Sequence, residues 1–491
     1  MIHLTEEQQA VVACDLQPGQ SLKIMAFAGT GKTSTLIAYA QARPHLRFLY
    51  VAFNKSVQLE AAEKFPANVV ARTAHALAFR THGHAHKDRL VPSLRANTVM
   101  QALGLNHYEE ARFTIETLHN YLVSAAPKVE TSHVPHQVQA FYQQRKGRIP
   151  DFVDLANQLG RSMCDPTDAT VGMLHDGYLK LYQLSNPVLD YDCILLDEAQ
   201  DINPVTGAIV LSQAQSGHGR QPASVIIVGD SHQQIYSFRG ARDSLKKIKT
   251  SQTMYLTRSF RFDNNIARVA NMVLSTFKGE KRRLSGTPRD DAKPNWDPDR
   301  YTVIARTNAA VFDRAVQLSK THTLGFAGGL QGYRLNSLKD VYYLYAGLSD
   351  GISDAYIKGF YDYGHLRAYA EAVEEIELLG ICKVVETYGG RLPKLIDAIT
   401  EKAVDAAKAQ ITLTTAHKSK GLQWSNVLML GDFLELVKDG QLINPAGVDP
   451  DEFNLIYVAM TRAIHNLRFD KESTLPDFIR IVQEQRKQSR G

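Results

Sequence analysis

The sequence predicts an α/β protein built on parallel β-sheets with helices between the strands. Five short runs are almost wholly apolar: KIMAF (23 to 27), RFLYVAF (47 to 53), CILLD (193 to 197), SVIIVGD (224 to 230) and NVLMLGD (426 to 432). Such runs, bounded by polar residues or glycine, are typical of strands buried on both faces of a parallel sheet. Helical stretches such as TSTLIAYAQA follow or separate them. Because ligands bind beyond the carboxyl ends of these strands, the residues that follow each run are the first candidates for a site.

Length and composition are those of an ordinary globular protein. The 491 residues correspond to about three packed units at the usual domain size. Hydrophobic residues make up 44% and charged residues 22%, which excludes a disordered or fibrous chain. Lysine and arginine total 56 against 51 for aspartate and glutamate, a formal net charge of +5. The excess is small, so a nucleic-acid site would be a local groove.

Cysteine spacing and the first residues bear on metal binding and location. Cys14, Cys164, Cys193 and Cys382 lie far apart, without the spacing of zinc ligands or of a disulfide framework. The start MIHLTEEQQAVV lacks the features of a signal peptide, and no apolar run approaches the ~18 residues of a membrane span. We therefore expect no zinc, no membrane association and a cytoplasmic location, at the nucleoid if the source is a bacterium.

Two long segments interrupt the β-α-β pattern. Residues 85 to 183 and 346 to 404 contain helix-like patterns without a convincing buried strand. The stretch SGTPRDDAKPNWDPDR at 285 to 300 is rich in Pro, Asp and Gly, as surface loops are. The pattern predicts two sheet-containing regions, each with a helical insertion.

The segment AFAGTGKT at 26 to 33 follows the first predicted strand and opens a helix. Glycines at this spacing let backbone amides close around phosphates, while the lysine reaches the terminal phosphates and the threonine hydroxyl ligates magnesium. A glycine loop without a nucleotide is the alternative, which the flanking strand and helix disfavour. The segment predicts that ATP and Mg²⁺ are held by Ala28, Gly29, Thr30, Gly31, Lys32, Thr33 and Ser34, with Thr33 on the metal.

An acidic pair ends another predicted strand, in LLDEAQD at 195 to 201. Asp197 can hold the magnesium, usually through water, and Glu198 can orient and deprotonate an attacking water. Alone, such a pair is more often a solvated turn. Together with the phosphate loop it predicts phosphoryl transfer to water.

These two segments and six others resemble, in order along nearly the whole chain, the UvrD/Rep-type helicases of superfamily one. The six are LTEEQ (4 to 8), TAH (73 to 75), VGDSHQQIYSFRGA (228 to 241), SFR (259 to 261), HKSKGLQW (417 to 424) and YVAMTRA (457 to 463). The resemblance implies two RecA-like lobes that bind ATP between them and single-stranded DNA across them. The phrases FLYVAFNKSV, RTAHALAF and FNLIYVAMTRA resemble the helicase portion of the eukaryotic F-box DNA helicases. Because the first segment begins at residue 4, no F-box is expected before it.

The resemblance assigns further residues to the nucleotide. It implies that Gln8 reads the adenine edge, that Gln233 senses the γ-phosphate, and that Arg261 and Arg462 supply positive charge from the second lobe. A lone arginine after a strand usually forms a surface salt bridge, but the motifs around these two favour the catalytic role. Phe260 stands where the family has tyrosine and can stack on adenine without donating a hydrogen bond. Gln423 replaces a glutamate expected near the ribose.

The resemblance also assigns a path for the DNA strand. Aromatic faces stack on any base, and basic groups follow the phosphates, so both suit a motor without sequence preference. Phe238 replaces the family's tryptophan, and AFNKS at 52 to 56 is one residue shorter than the family's run. Core packing is the alternative for Tyr236 and Phe238, and a purely structural role for His75 and His417. The predicted DNA contacts are Phe53, Asn54, Thr73, His75, Tyr236, Phe238, Arg239, His417 and Lys420.

The resemblance divides the chain into segments. Typical relatives have a large accessory domain in the second lobe, where this chain has only a short helical stretch. The predicted segments are 1–84 and 184–252 (first lobe, 1A), 85–183 (helical accessory domain, 1B), 253–345 and 405–491 (second lobe, 2A), and 346–404 (reduced 2B-like insert).

Three functions are open. The first, which the resemblance implies, is a monomeric ATP-dependent helicase or translocase that moves 3′ to 5′ on single-stranded DNA or at duplex junctions, in repair or recombination. The second is a DNA-stimulated ATPase that strips proteins such as recombinase filaments from single strands without processive unwinding. The third, a P-loop enzyme such as a small-molecule kinase, predicts hydrolysis indifferent to DNA and leaves the aromatic and arginine residues without a role. No nuclease-like cluster is visible.

Overall fold

Two parallel β-sheets, one in each of two units, confirm the predicted fold class. The computed structural model describes residues 3–144, 148–215, 221–235, 244–288, 295–372 and 376–488. The first unit consists of Met1–Phe27 and Gly31–Leu256, and the second of Ala28–Thr30 and Thr257–Gly491.

The first unit contains a six-stranded sheet whose neighbouring strands are all parallel. The strands of the whole first unit, in chain order, are β1 (Ser21–Ala26), β2 (Phe48–Ala52), β3 (Val69–Thr73), β4 (Leu90–Val91), β5 (Met173–Leu174), β6 (Cys193–Leu196), β7 (Ser224–Gly229) and β8 (Gln252–Leu256). Its helices are α1 (Glu6–Ala13), α2 (Lys32–Gln41), α3 (Lys55–Lys64), α4 (Ala74–Ala78), α5 (Ala96–Leu103), α6 (Tyr108–Leu122), α7 (Gln137–Gln144), α8 (Phe152–Cys164), α9 (His175–Leu184), α10 (Pro204–Ser212) and α11 (Ser244–Lys247). The large sheet has the order β3-β2-β6-β7-β1-β8.

Strand β2 illustrates why the apolar runs form buried strands. Leu49 and Val51 pack into one hydrophobic cluster, and Phe48, Tyr50 and Ala52 pack into another. Successive side chains of a strand point to opposite faces of the sheet, so each face is covered by its own core. The strand therefore tolerates almost no polar residue.

The accessory segment of the first unit is helical, as predicted, apart from β4 and β5, which pair with each other over two residues. Helices α6 and α8 contribute Leu118 and Leu159 to the same cluster as Leu49. A second, smaller cluster consists of Phe113, Val138, Tyr142 and Phe152. Part of the accessory segment thus shares the core of the sheet, and part has a core of its own.

The second unit contains a five-stranded parallel sheet in the order β12-β13-β11-β14-β17. The strands of the unit are β9 (Arg258–Ser259), β10 (Ser285–Gly286), β11 (Tyr301–Ala305), β12 (Leu324–Phe326), β13 (Ile411–Thr415), β14 (Trp424–Met429), β15 (Val437–Lys438), β16 (Gln441–Leu442) and β17 (Ala463–Phe469). Its helices are α12 (Asn264–Phe277), α13 (Asn308–Leu318), α14 (Leu335–Tyr345), α15 (Ala355–Lys358), α16 (Tyr363–Ala372), α17 (Ile376–Tyr388), α18 (Leu392–Lys402), α19 (Pro450–Met460) and α20 (Leu475–Gln488).

Helices α15 to α18 occupy the segment predicted as a reduced insert. Leu366, Val385 and Leu392 lie in the same cluster as the sheet residues Val303 and Leu413. The insert is therefore packed onto the core of the second unit. The predicted boundary between the first and second lobes, after residue 252, falls within β8, which pairs with β1 in the first sheet.

No helix in the ranges that the structure describes is both long enough and apolar enough to cross a membrane.

We predict that Phe113→Ala destabilises the accessory segment. The Phe113 side chain is fully buried, and its ring contacts Phe141, Tyr142 and Phe152. Removing a buried phenylalanine ring costs about 3–5 kcal/mol in the free energy of unfolding, which urea denaturation followed by circular dichroism would measure. Tyr108→Ala, at an exposed position of the same helix α6, is the control and should change little. An equal effect of the two substitutions would contradict the assignment of this core.

Candidate functional site

The phosphate loop lies between β1 and α2, and its backbone requires glycine at two positions. Gly29 and Gly31 have φ angles of 74° and 77°, in the left-handed region that favours glycine. A Cβ atom on Gly29 would also lie 2.7 Å from Cβ of Arg261. Within the second unit, to which Ala28–Thr30 belong, the amide of Ala28 donates to the hydroxyl of Tyr457 at 3.0 Å. Lys32, Thr33 and Ser34 begin helix α2.

The lysine of the loop is paired with the second carboxylate of the acidic pair. Nζ of Lys32 lies 2.8 Å from Oε1 and 2.9 Å from Oε2 of Glu198. Burial alone lowers the pKa of Lys32, but the negative charges of Glu198, Asp197 and Asp230 outweigh it, and the net shift is upward. The lysine therefore carries its positive charge at the strand ends, as phosphate binding requires.

Asp197 lies at the end of β6, with both carboxylate oxygens engaged. Oδ2 accepts from the hydroxyl of Tyr50 at 2.6 Å and from Thr33 Oγ1 at 3.4 Å, and Oδ1 accepts from the amide of Glu198 at 2.8 Å. Burial is the main cause that raises the pKa of Asp197, and the charge of Glu198 raises it further. A hydroxyl and a carboxylate at hydrogen-bond distance are oxygen donors of the kind that Mg²⁺ prefers. The residues present thus fit the predicted magnesium site.

The backbone of Glu198 is strained. Its φ angle is 49°, in a region that costs a non-glycine residue about 1–3 kcal/mol and that is found most often at functional sites. The strained turn directs the Glu198 side chain to Lys32. This geometry supports a functional role for the acidic pair over that of a solvated turn.

A chain of hydrogen bonds connects Glu198 with the segment after β7. The side-chain amide of Gln200 donates to Oε2 of Glu198, and Oε1 of Gln200 accepts from the amide of Asp230 at 3.0 Å. Oδ2 of Asp230 accepts from Nε2 of Gln233 at 2.7 Å. Sequence reasoning selected Glu198 and Gln233 but not Gln200 or Asp230, although both lie in the same two segments. The only sequence signal for them is that both are polar residues shortly after a predicted apolar strand; their partners are set by the fold.

Gln8 is buried and holds the start of the chain against α2. Its side chain completes a capping box with Thr5 at the start of α1 and donates to Thr35 Oγ1 at 3.0 Å. The amide group is thereby fixed one helical turn from the phosphate loop. Its role in reading adenine remains a prediction.

Several predicted DNA contacts in the first unit also have local structural roles. Asn54 and Thr73 cap helices α3 and α4 through their side-chain oxygens. Nε2 of His75 lies 3.6 Å from Oδ1 of Asp176, and Phe53 is 37% exposed. Helix capping positions a side chain without preventing its contact with DNA, so the DNA contacts of these residues stay predictions. Tyr236, Phe238 and Arg239 lie outside the described residues.

The second unit brings together three of the predicted nucleotide residues. Nε of Arg261 donates to Gln423 Oε1 at 2.8 Å, and Nη1 donates to the carbonyl of Thr461 at 3.0 Å. Arg462 is only 1% exposed, and its guanidinium donates to Thr461 Oγ1 and to the carbonyl of Val458. Both guanidinium groups are thus held by hydrogen bonds within the second unit.

The other predicted residues of the second unit flank this group or follow β13. The amide of Phe260 donates to the carbonyl of Gly29 at 2.8 Å, and the Phe260 side chain is 41% exposed. His417 and Lys420 lie in the turn after β13, half-buried. An exposed ring at position 260 is compatible with stacking on a base.

The two parallel sheets, with a phosphate loop after β1 and an acidic pair after β6, define a P-loop nucleotide-binding protein. Residues 8–239 match a family model described as an AAA domain. Over 94% of its length the chain is 35% identical to F-box DNA helicase 1 of Gallus gallus, and 29% identical to F-box DNA helicase protein 1 of Schizosaccharomyces pombe. It is 24% identical over the same share to DNA helicase IV of Escherichia coli.

These matches confirm the resemblance to UvrD/Rep-type helicases of superfamily one, and to F-box DNA helicases among them. The chain spans 48% of the Gallus gallus protein, 56% of the Schizosaccharomyces pombe protein and 68% of the Escherichia coli protein. It therefore corresponds to about half the length of its F-box relatives.

We predict that Glu198→Gln removes most hydrolysis and leaves nucleotide affinity intact. The amide keeps the size of the side chain but cannot accept a proton, and loss of a general base costs about 10²–10⁴-fold in rate. Steady-state hydrolysis and binding of a fluorescent ATP analogue would separate the two effects. Glu60→Gln, at an exposed glutamate paired with Lys64, is the matched control. A folded Glu198→Gln protein with nearly normal turnover would exclude Glu198 as the base.

Proposed function

We propose that this chain is the motor of an ATP-dependent DNA helicase that moves on single-stranded DNA. The observation that carries the proposal is the contact of Lys32, directly after a glycine-rich loop that follows β1, with the acidic pair Asp197 and Glu198 at the end of β6. Similarity over 94% of the chain to proteins named DNA helicases supports the same conclusion. The polarity, 3′ to 5′, and a role in repair or recombination are part of the proposal.

In the proposed reaction, water attacks the γ-phosphorus of ATP, the bond to the bridging oxygen of the β-phosphate breaks, and ADP leaves. Backbone amides of the glycine loop and Lys32 bind the phosphates, and Glu198 accepts the proton of the attacking water. Thr33 and Asp197 would hold Mg²⁺, which when bound neutralises the charge of the β- and γ-phosphates. Because Lys32 contacts Glu198 in this structure, its transfer to the phosphates would leave Glu198 free to act as the base.

The second unit would supply the remaining charge. Arg261 and Arg462 would stabilise the negative charge on the transferred phosphoryl group, so that hydrolysis depends on closure of the two units around ATP. Phe260 would stack on adenine, and Gln423, which holds Arg261, would fix that arginine in place. This dependence on closure is what would convert hydrolysis into movement.

Contact with DNA would be coupled to hydrolysis through the segment after β7. Gln233 would contact the γ-phosphate, and the residues that follow it, Tyr236, Phe238 and Arg239, would contact the strand. The hydrogen bonds from Glu198 through Gln200 and Asp230 to Gln233 support this route.

A second function is a DNA-stimulated ATPase that strips proteins from single strands without processive unwinding. The packing of helices α15 to α18 onto the core of the second unit favours it, because a short insert offers little surface to separate a duplex. Recombinase filaments are the proposed target class. In both proposals the protein is a monomer and is located with the DNA.

We predict that single-stranded DNA stimulates ATP hydrolysis. We also predict that Lys32→Ala abolishes the hydrolysis itself. Loss of the lysine removes a charged donor to the phosphates, and loss of one such donor costs about 10²–10³-fold in rate. Hydrolysis would be measured without nucleic acid, with DNA and with RNA oligonucleotides. Turnover that is indifferent to every oligonucleotide would exclude the motor and favour a small-molecule kinase.

The two motor functions predict different products. A helicase should release the short strand of a duplex with a 3′ tail and leave a 5′-tailed duplex intact. A stripping ATPase should displace streptavidin from a biotinylated single strand while leaving both duplexes intact. Unwinding of 5′-tailed duplexes alone would contradict the proposed polarity.

A further inference from the structure

Tyr50 is a polar residue at the centre of an otherwise apolar strand. It is 1% exposed, and its ring lies 4.8 Å from that of Phe65, measured between centroids. In the sequence it is one of several large residues in RFLYVAF, so its pattern predicts only a core aromatic. Its hydroxyl, however, donates to Oδ2 of Asp197 at 2.6 Å.

The sheet register explains why Tyr50 meets this carboxylate. Strands β2 and β6 are parallel neighbours, with Tyr50 opposite Leu195. Asp197 is two residues further along and therefore on the same face, since side chains alternate along a strand. Such diagonal neighbours are within reach of a long aromatic side chain. Tyr50 is held on both sides, because β2 also pairs with β3.

The hydroxyl of Tyr50 fixes one of the two oxygens of Asp197. Oδ1 accepts from the amide of Glu198 at 2.8 Å, so the carboxylate is held from both ends. Thr33 Oγ1 lies 3.4 Å from the same oxygen that Tyr50 contacts. Without the hydroxyl, the buried carboxylate would keep the bond at Oδ1 but lose the short bond at Oδ2, so the position of Oδ2 relative to Thr33 would be less closely fixed.

We infer that Tyr50 is a positioning residue for the divalent cation that accompanies the nucleotide. The inference rests on the proposed ATP site, where Thr33 and Asp197 would hold the cation directly or through water, and Tyr50 would act only through Asp197. Residues that orient metal ligands in this way contribute about 10–100-fold to metal affinity or activity. The role requires no proton transfer by Tyr50.

The test is Tyr50→Phe, which removes a single oxygen. The Mg²⁺ concentration that half-saturates binding of a fluorescent ADP analogue should rise about 10-fold or more, while the affinity for the analogue in EDTA stays unchanged. Tyr39→Phe is the matched control: Tyr39 is buried in the same hydrophobic cluster and packs against Phe48, and its substitution should leave the Mg²⁺ dependence as it is.

The outcomes separate this inference from the proposed function. A folded Tyr50→Phe protein with the Mg²⁺ dependence of the wild type would overturn the role of Tyr50 alone. A wild-type protein whose nucleotide affinity ignores Mg²⁺ would overturn both the inference and the proposed site.

A second measurement does not depend on the stability of Tyr50→Phe. In a protein with 3-fluorotyrosine at position 50, Mg²⁺ with ADP should shift the fluorine resonance, whereas ADP with EDTA should not. An unchanged resonance with saturating Mg²⁺ and ADP would contradict the inference.

Discussion

One hydrogen-bonded chain at the carboxyl edge of the first sheet connects the groups on which the proposed chemistry depends. It begins with Lys32 at the start of α2, passes through Glu198 and Gln200 after β6, and reaches Asp230 and Gln233 after β7. The three strands β6, β7 and β1 are consecutive in the sheet, so the segments that follow them meet at one edge. A candidate phosphate-binding lysine, a candidate base and a candidate γ-phosphate sensor thereby become parts of one network.

Charge burial is the cost of this arrangement. An isolated buried charge loses its hydration, so it must be paired and hydrogen-bonded. Lys32 and Glu198 neutralise each other, and Asp197 is held by Tyr50, Thr33 and the amide of Glu198. In the proposed reaction, Lys32 would exchange Glu198 for the phosphates, while Asp197 would keep these partners. The site is thus stable as it stands and suited to exchange partners when ATP binds.

The sequence was sufficient for strands that are both buried and almost wholly apolar, and for residues whose chemistry is recognisable by type and spacing; β13 (ITLTT) is buried throughout, but its threonines interrupt the apolar pattern. The five apolar runs correspond to β1, β2, β6, β7 and β14. Strands with exposed ends or few residues, such as β8 and β12, carry too weak an apolar pattern to be predicted. Tyr50 and Gln200 were missed because their partners are set by strand register and by the fold of the chain after β6, which spacing along the sequence does not contain.

We propose that this chain of hydrogen bonds couples hydrolysis to the DNA strand. The direct measurement compares the DNA stimulation of ATP hydrolysis in Gln200→Ala with that in Gln213→Ala, another buried glutamine of the first unit, which bonds to the backbone at Leu189, Pro187 and Ile209. We expect Gln200→Ala to retain hydrolysis without DNA and to lose most of the stimulation, while Gln213→Ala keeps it. Full stimulation in a folded Gln200→Ala protein would contradict the claim.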